Sequence, residues 1–187
     1  ICIGIAAYFG IKGLISAYTA TGAEALPKVE ATQAEVQGVV ARIDAFKKAC
    51  SAKQVPPSLF LTAKDINMLI QNHPEWKDAA GMVFVEINGN KLTGKVSIPL
   101  DQVGSLLKGR YLNGTATITV GLVNGRLAVY AESIEVKGKA LPEEFMKNFR
   151  GNNLADKINQ DPTVTPFLES LDQLNVSGGA LHIIPKK

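Results

Sequence analysis

The sequence predicts an α+β fold: an N-terminal single transmembrane helix, then an antiparallel sheet of about five strands with helices packed on it. Three observations predict it. The first twenty residues carry a single charge, Lys12. Residues 82–136 hold runs in which apolar and polar side chains alternate, and two of these are joined by Asn124-Gly125, a hairpin signal. On either side, apolar residues recur at the spacing of amphipathic helices. Composition agrees: of 187 residues 46% are hydrophobic and 20% charged, ordinary for a globular chain and unlike a disordered or collagen-like one.

The opening segment, ICIGIAAYFGIKGLISAYTA, has fourteen hydrophobic positions in twenty and almost no polar face. Twenty helical residues span roughly 30 Å, the thickness of a bilayer's hydrocarbon core. Residues 1–21 are therefore expected to be a retained membrane anchor, not a core helix or a cleaved signal peptide. Because the first residue is Ile, the translated start is expected upstream. Lys12 has two readings, since a charge at mid-bilayer costs about 2.5–3.5 kcal/mol. Either its ammonium snorkels to the headgroups, or it faces a protein or lipid partner inside the membrane. Ala6, Gly10, Gly13 and Ala17, spaced 4, 3 and 4 apart, form a stripe of small residues on one helical face. Small side chains let helix backbones approach closely in lipid, so this stripe is the expected helix-packing site.

Residues 22–27, with Gly22 and Pro27, read as a linker at the membrane surface, and 28–187 as an extracytoplasmic α+β domain. Val29, Val36, Ile43 and Cys50 recur every seven residues, with Val39 and Phe46 between them. Residues 28–50 are thus expected as an amphipathic helix laid on the domain's own sheet. Gly38 and Thr32 argue against a coiled coil. Thr62 and Asp65 have capping-box spacing ahead of Ile66, Leu69 and Ile70, and His73-Pro74 stops that helix.

Residues 82–87 are a nearly continuous apolar run, Asn88-Gly89-Asn90 turns the chain, and 91–100 alternate as a half-buried strand. After a short loop or helical turn over 101–108, Ala116, Ile118, Val120 and Leu122 alternate with Thr115, Thr117 and Thr119. The return strand buries Leu127, Val129 and Ala131, then Ile134 and Val136; this phase slip predicts a β-bulge near Glu132-Ser133. Pro142 opens a helix over 143–149 whose first turn carries Glu143 and Glu144, as the helix dipole favours. Short helices are expected over 153–159 and 165–171. A terminal strand, 174–176 and 180–184, is broken by Gly178-Gly179.

No phosphate-loop, dinucleotide, nucleophile-elbow, zinc or EF-hand motif occurs. Cys2 lies in the anchor and Cys50 at a helix end, so they are not expected to meet, and Cys50 reads as a small core residue. His73, at a helix terminus, and His182, between Leu181 and Ile183, read as capping or surface residues. Glu143 and Glu144 lie about 100° apart on a helix and cannot converge as a catalytic pair. No enzymatic activity, cofactor or metal is expected. Nucleic acid is disfavoured by a net charge of only +3 and by aromatics that are not interleaved with Lys or Arg. Trp76, the single tryptophan, and Lys12 are the candidate partner contacts, although Trp76 reads equally well as a lid over the helix–sheet core.

The order of LTAKDINMLI, GKVSIPL and GRYLNGTATITVGLVNGRLAVYAESIEVKGKALPEEF resembles membrane-anchored bacterial envelope proteins of the YpmS-like type. Leu61-Thr62, Asp65-Ile66-Asn67, Asn124-Gly125 and the run from Gly138 to Pro142 carry the likeness, over roughly residues 59–145. These are a cap, a turn and a helix start, so the resemblance implies an extracytoplasmic domain handling lipid or a partner protein and brings no functional residues with it. The expected function is a non-enzymatic accessory or structural subunit of a larger membrane complex, with respiratory and photosynthetic assemblies as host class. Its partners would be membrane-protein subunits and the lipid bilayer. Its place would be the bacterial inner membrane, single-pass, with the C-terminal domain in the periplasm or outside. The alternative is a membrane-anchored lipid or hydrophobic-ligand binder with an apolar groove between the sheet and helix 28–50.

Overall fold

The computed structural model describes residues 15–101 and 105–187, without the side chains of Glu75, Phe145 and Asn148. Most of the expected anchor, including Ala6, Gly10, Lys12 and Gly13, lies outside the described residues. Among the described residues no helix is long and apolar enough to cross a membrane; residues 15–18 are helical.

The chain runs through α1 (Gln33–Ser51), β1 (Leu59–Thr62), α2 (Ala63–Asn72), β2 (Val83–Asn88), β3 (Lys91–Pro99), β4 (Tyr111–Val123), β5 (Arg126–Val136) and β6 (Lys139–Ala140). There follow α3 (Glu143–Gly151), two short helices, α4 (Asp156–Asn159) and α5 (Thr165–Glu169), and the hairpin β7 (Leu171–Ser177) and β8 (Ala180–Pro185). Single 3-10 turns occupy Pro74–Trp76 and Ser105–Leu107.

The expected five-stranded antiparallel sheet is present, in the order β2-β3-β4-β5-β6. Asn124 and Gly125 have φ of 52° and 73°, both left-handed, as a type I′ turn requires. Thr117 faces Ser133 while Ile118 faces Ala131, leaving Glu132 as the extra residue of the bulge. The terminal segment corrects the sequence reading. It forms a second, three-stranded antiparallel sheet in the order β1-β8-β7, with Gly178-Gly179 as its turn. Two strands were missed: the two-residue β6, which takes the fifth place in the larger sheet, and β1. Leu59 and Leu61 are buried, Phe60 and Thr62 exposed: a period-two pattern only four residues long that runs straight into a helix cap.

The helices fill the space around and between the sheets. On the three-stranded sheet lies α1, as its apolar stripe predicts, with Val36, Val39 and Phe46 in one core with Leu59, Leu61, Leu171 and Ile183. Both sheets share α2: Met68 and Leu69 belong to that core, while Ile70 joins Val85 and Leu92 of the five-stranded sheet. Met146 of α3 packs with Ala131, Ile134 and Val136 of β5.

Both long helices start on capping boxes. At α2 the Thr62 hydroxyl accepts from Asp65 N–H at 3.2 Å and the Asp65 carboxylate accepts from Thr62 N–H at 2.9 Å, as the spacing predicts. At α1 the helix begins at Gln33 rather than 28 because Thr32 and Glu35 form the same reciprocal pair. The Thr32 N–H, 2.8 Å from the Glu35 carboxylate, and Lys64 Nζ at 3.0 Å hold the Glu35 pKa down to about 2, from an ordinary 4.5. Ionised Glu35 therefore favours the folded state above pH 4.5, and that contribution is lost as pH falls toward 2. Glu35→Gln keeps an acceptor at the same place. It is expected to be less stable than the parent at neutral pH and to lose less stability between pH 4.5 and 2 in a series of urea melts.

Candidate functional site

The structure places the candidate side chains far apart from one another or in ordinary packing roles among the described residues. Among the described residues no three His, Cys, Asp or Glu side chains converge to hold a metal ion. His73 ends α2, its N–H donating to Leu69 C=O at 2.9 Å. The Ser177 oxygen lies 3.4 Å from both ring nitrogens of His182. An oxygen equidistant from both nitrogens is aimed along the lone pair of neither, unlike a nucleophile–base pair. Phe60 meets the same imidazole edge-on, with ring centroids 4.6 Å apart. Cys50 is half-buried against the core beneath α1. Trp76 stands 47% exposed at the end of its 3-10 turn.

A built polar site does exist where the N-terminal chain meets the five-stranded sheet. Helical residues 15–18 include Ala17, half-buried, and Tyr18, which packs against the core of Ala131, Ile134, Val136 and Met146. Thr19 is 6% exposed. Its hydroxyl donates to Ile15 C=O at 2.5 Å and accepts from Arg110 Nε. Arg110 Nη2 donates to Thr19 C=O at 3.3 Å, and Lys137 Nζ donates to the C=O groups of Ser16 (2.8 Å) and Thr19 (2.7 Å). The last carbonyls of a helix have no partners of their own and carry the negative end of its dipole. Two cations close that end here. Immediately afterwards Ala20 and Tyr111 exchange both backbone hydrogen bonds at 2.8 Å.

Residues 22–27, expected as a linker, carry no regular structure and are held by side chains from the domain. Asn113 Nδ2 donates to Gly22 C=O at 2.9 Å, and Glu24 N–H donates to the buried Ser97 hydroxyl at 3.0 Å. Further on, the Gln71 amide accepts from Val29 N–H at 3.0 Å and donates to Pro27 C=O at 3.3 Å. Of the sequence-expected helix-packing residues Ala17 is the one among the described residues, and it lies in this junction; Arg110 and Lys137 were missed. Each stands about ninety or more positions from the carbonyl it holds, so no local pattern marks it.

The expected ligand groove takes a different form. The interface between α1 and the three-stranded sheet is filled by Val36, Val39 and Phe46. An open apolar groove of about 560 Å³ lies instead beside the C-terminal half of α1, between Phe46 and Ala49 on the helix and Val55, Pro57 and Phe60 on the following segment. Arg42 at its rim is bound to the Asp65 carboxylate at 2.8 Å and donates to Phe60 C=O at 3.4 Å.

Compared with protein-family models, with curated proteins and with solved structures, the chain gives no match in any of the three.

Proposed function

We propose that the chain is a non-enzymatic, membrane-anchored accessory subunit that holds its α+β domain at a set height and angle on the extracytoplasmic face of a larger membrane complex. The observation that carries this reading is the clamp of Arg110 and Lys137 on the carbonyls of Ser16 and Thr19. An apolar segment precedes those residues in the sequence, and the clamp ties the described residues 16–19 to the sheet. A domain that only needed tethering would gain nothing from such a junction, because a Gly-containing linker holds it in the membrane equally well. Fixed orientation matters when the domain must meet a neighbour that is itself fixed in the bilayer. In the same reading the bilayer is that of a bacterial inner membrane, and Ala6, Gly10, Gly13 and Ala17 face a partner helix.

Gentle detergent extraction followed by native electrophoresis and mass spectrometry tests this. The wild-type chain is expected to migrate with partner subunits. Arg110→Ala/Lys137→Ala is expected to stay in the membrane with unchanged circular dichroism and to lose partner recovery by roughly tenfold, the effect of about 1.4 kcal/mol on association. Migration of the wild-type chain as a free 20.0 kDa species would overturn the proposal.

A second reading, a carrier of lipid or another apolar ligand, is favoured by the groove beside α1, where Val55 and Phe60 are 58% and 49% exposed. Uptake of a fluorescent fatty acid that Phe60→Asp abolishes would support it, and no uptake would remove it.

A further inference from the structure

We propose that the turn 105–110, between β3 and β4, is a second contact with the bilayer, inserting Leu106 among the lipid headgroups beside the N-terminal helix. The inference rests on the anchored reading above and adds to it a place where the domain itself touches lipid.

Leu106 is 67% exposed, more than any other large apolar side chain among the described residues. It is held out by a closed turn. Leu100 N–H donates to Arg110 C=O at 2.8 Å, Arg110 N–H to Leu107 C=O at 3.0 Å, and Gly109, at φ 71°, gives its N–H to the Asp101 carboxylate at 2.8 Å.

Position supplies the occupant. Pro99 pairs with Tyr111 and Gly114 with Val136, so this turn and the Lys137-Gly138 turn lie at the same end of the sheet. That is also the end at which Arg110, Lys137 and Tyr111 receive Ser16, Thr19 and Ala20. Arg110 is four positions on from Leu106, which limits them to about 14 Å apart even fully extended. The segment leading into Ser16 is ICIGIAAYFGIKGLI, apolar apart from Lys12. If it lies in lipid, Leu106 emerges within reach of the headgroup layer.

Lys108 and Lys139 are exposed at this end, and anionic headgroups attract such residues. Acids at this end include Asp101, which is turned onto Gly109 N–H, Glu24 and Glu135. With Arg110 and Lys137 counted, the cations named at this end outnumber the acids by four to three. An exposed leucine with Lys108 two positions on, at an end of the sheet that also carries Arg110, Lys137 and Lys139, has the mixed apolar and basic character of an interfacial contact.

The test uses the full chain with its native tryptophan removed, reconstituted in phosphatidylcholine–phosphatidylglycerol vesicles with or without brominated acyl chains. In Trp76→Phe/Leu106→Trp, bromine is expected to quench roughly half the emission, because the reporter sits at the acyl boundary. In Trp76→Phe/Val123→Trp, at the opposite end of the sheet, emission is expected to be unchanged. Retention after an alkaline wash is measured on the same samples. No quenching at position 106 in protein that survives the wash would overturn this contact and leave the anchored reading standing. Protein that the wash releases would overturn both.

Discussion

Replacing Asn67 by alanine is expected to lower unfolding stability by about 3 kcal/mol, and replacing it by leucine by about 4 kcal/mol. Asn67 is 1% exposed. Its Oδ1 accepts from Val85 N–H at 2.8 Å and its Nδ2 donates to Val85 C=O at 2.7 Å. Val85 sits on β2, the edge of the five-stranded sheet, so its outward N–H and C=O have no strand to pair with. One carboxamide thus stands in for the missing neighbour and ties α2 to the sheet. Without it two main-chain groups in a buried place lose their partners, at about 1–3 kcal/mol each. Alanine leaves room for a water that recovers part of this; leucine fills the space and recovers none. At roughly 2–4 °C per kcal/mol for a chain of this size, the leucine variant should melt about 10 °C lower. Asn67→Asp separates the two bonds. It keeps the acceptor for Val85 N–H but sets a second carboxylate oxygen against Val85 C=O, so its deficit relative to the parent should shrink in acid, where a proton restores the donor. Thermal melts of the three variants at two pH values check the whole set.

That residue shows what was legible and what was not. Asn67 belongs to the Asp65-Ile66-Asn67 run that carries the resemblance to envelope proteins, yet only Asp65 had a visible job, because a capping box is a spacing rule within four residues. The partner of Asn67 is eighteen positions away on a strand edge, which no spacing rule reports. The same division holds elsewhere. The Asn124-Gly125 turn and the bulge at Glu132 were readable because each follows from local alternation and backbone freedom. The separate three-stranded sheet was not, since Leu59 pairs with Ile183, about two thirds of the chain away. One local signal went unused: Thr32 and Glu35 have the capping-box spacing that moves the start of α1 from 28 to Gln33. For the candidate site, the apolar N-terminal segment marked the neighbourhood. The clamping cations did not stand out, because before folding Arg110 and Lys137 look like any of the other eighteen basic residues among the twenty Lys and Arg.

Gly114→Ala should cost about 2–3 kcal/mol, in the range of over-packed sites, while Gly121→Ala in the same strand should cost less than about 1 kcal/mol. A Cβ on Gly114 would collide with Glu135 C=O and stand 3.2 Å from Val136 Cγ2. The first is a backbone atom of the adjacent strand, so β4 and β5 must separate there. At Gly121 the nearest atom, Leu174 C=O, is 3.8 Å away, an ordinary contact. Both changes replace a strand glycine by alanine, so the difference isolates close approach from strand propensity. Its consequence reaches the junction. Asn113, one residue before Gly114, holds Gly22 C=O and accepts from the Ser97 hydroxyl at 2.9 Å, and Lys137, one residue after Val136, holds Ser16 and Thr19. Parting the strands between them moves both sets of donors relative to the N-terminal chain. Amide exchange should therefore accelerate at Ala20 and Tyr111, whose mutual hydrogen bonds depend on that alignment, and stay at the parent rate around the Asn124-Gly125 turn at the other end of the sheet. Equal acceleration at both ends would mean that the sheet loosens as a whole, and that the junction is not the rigid seat on which an oriented domain depends.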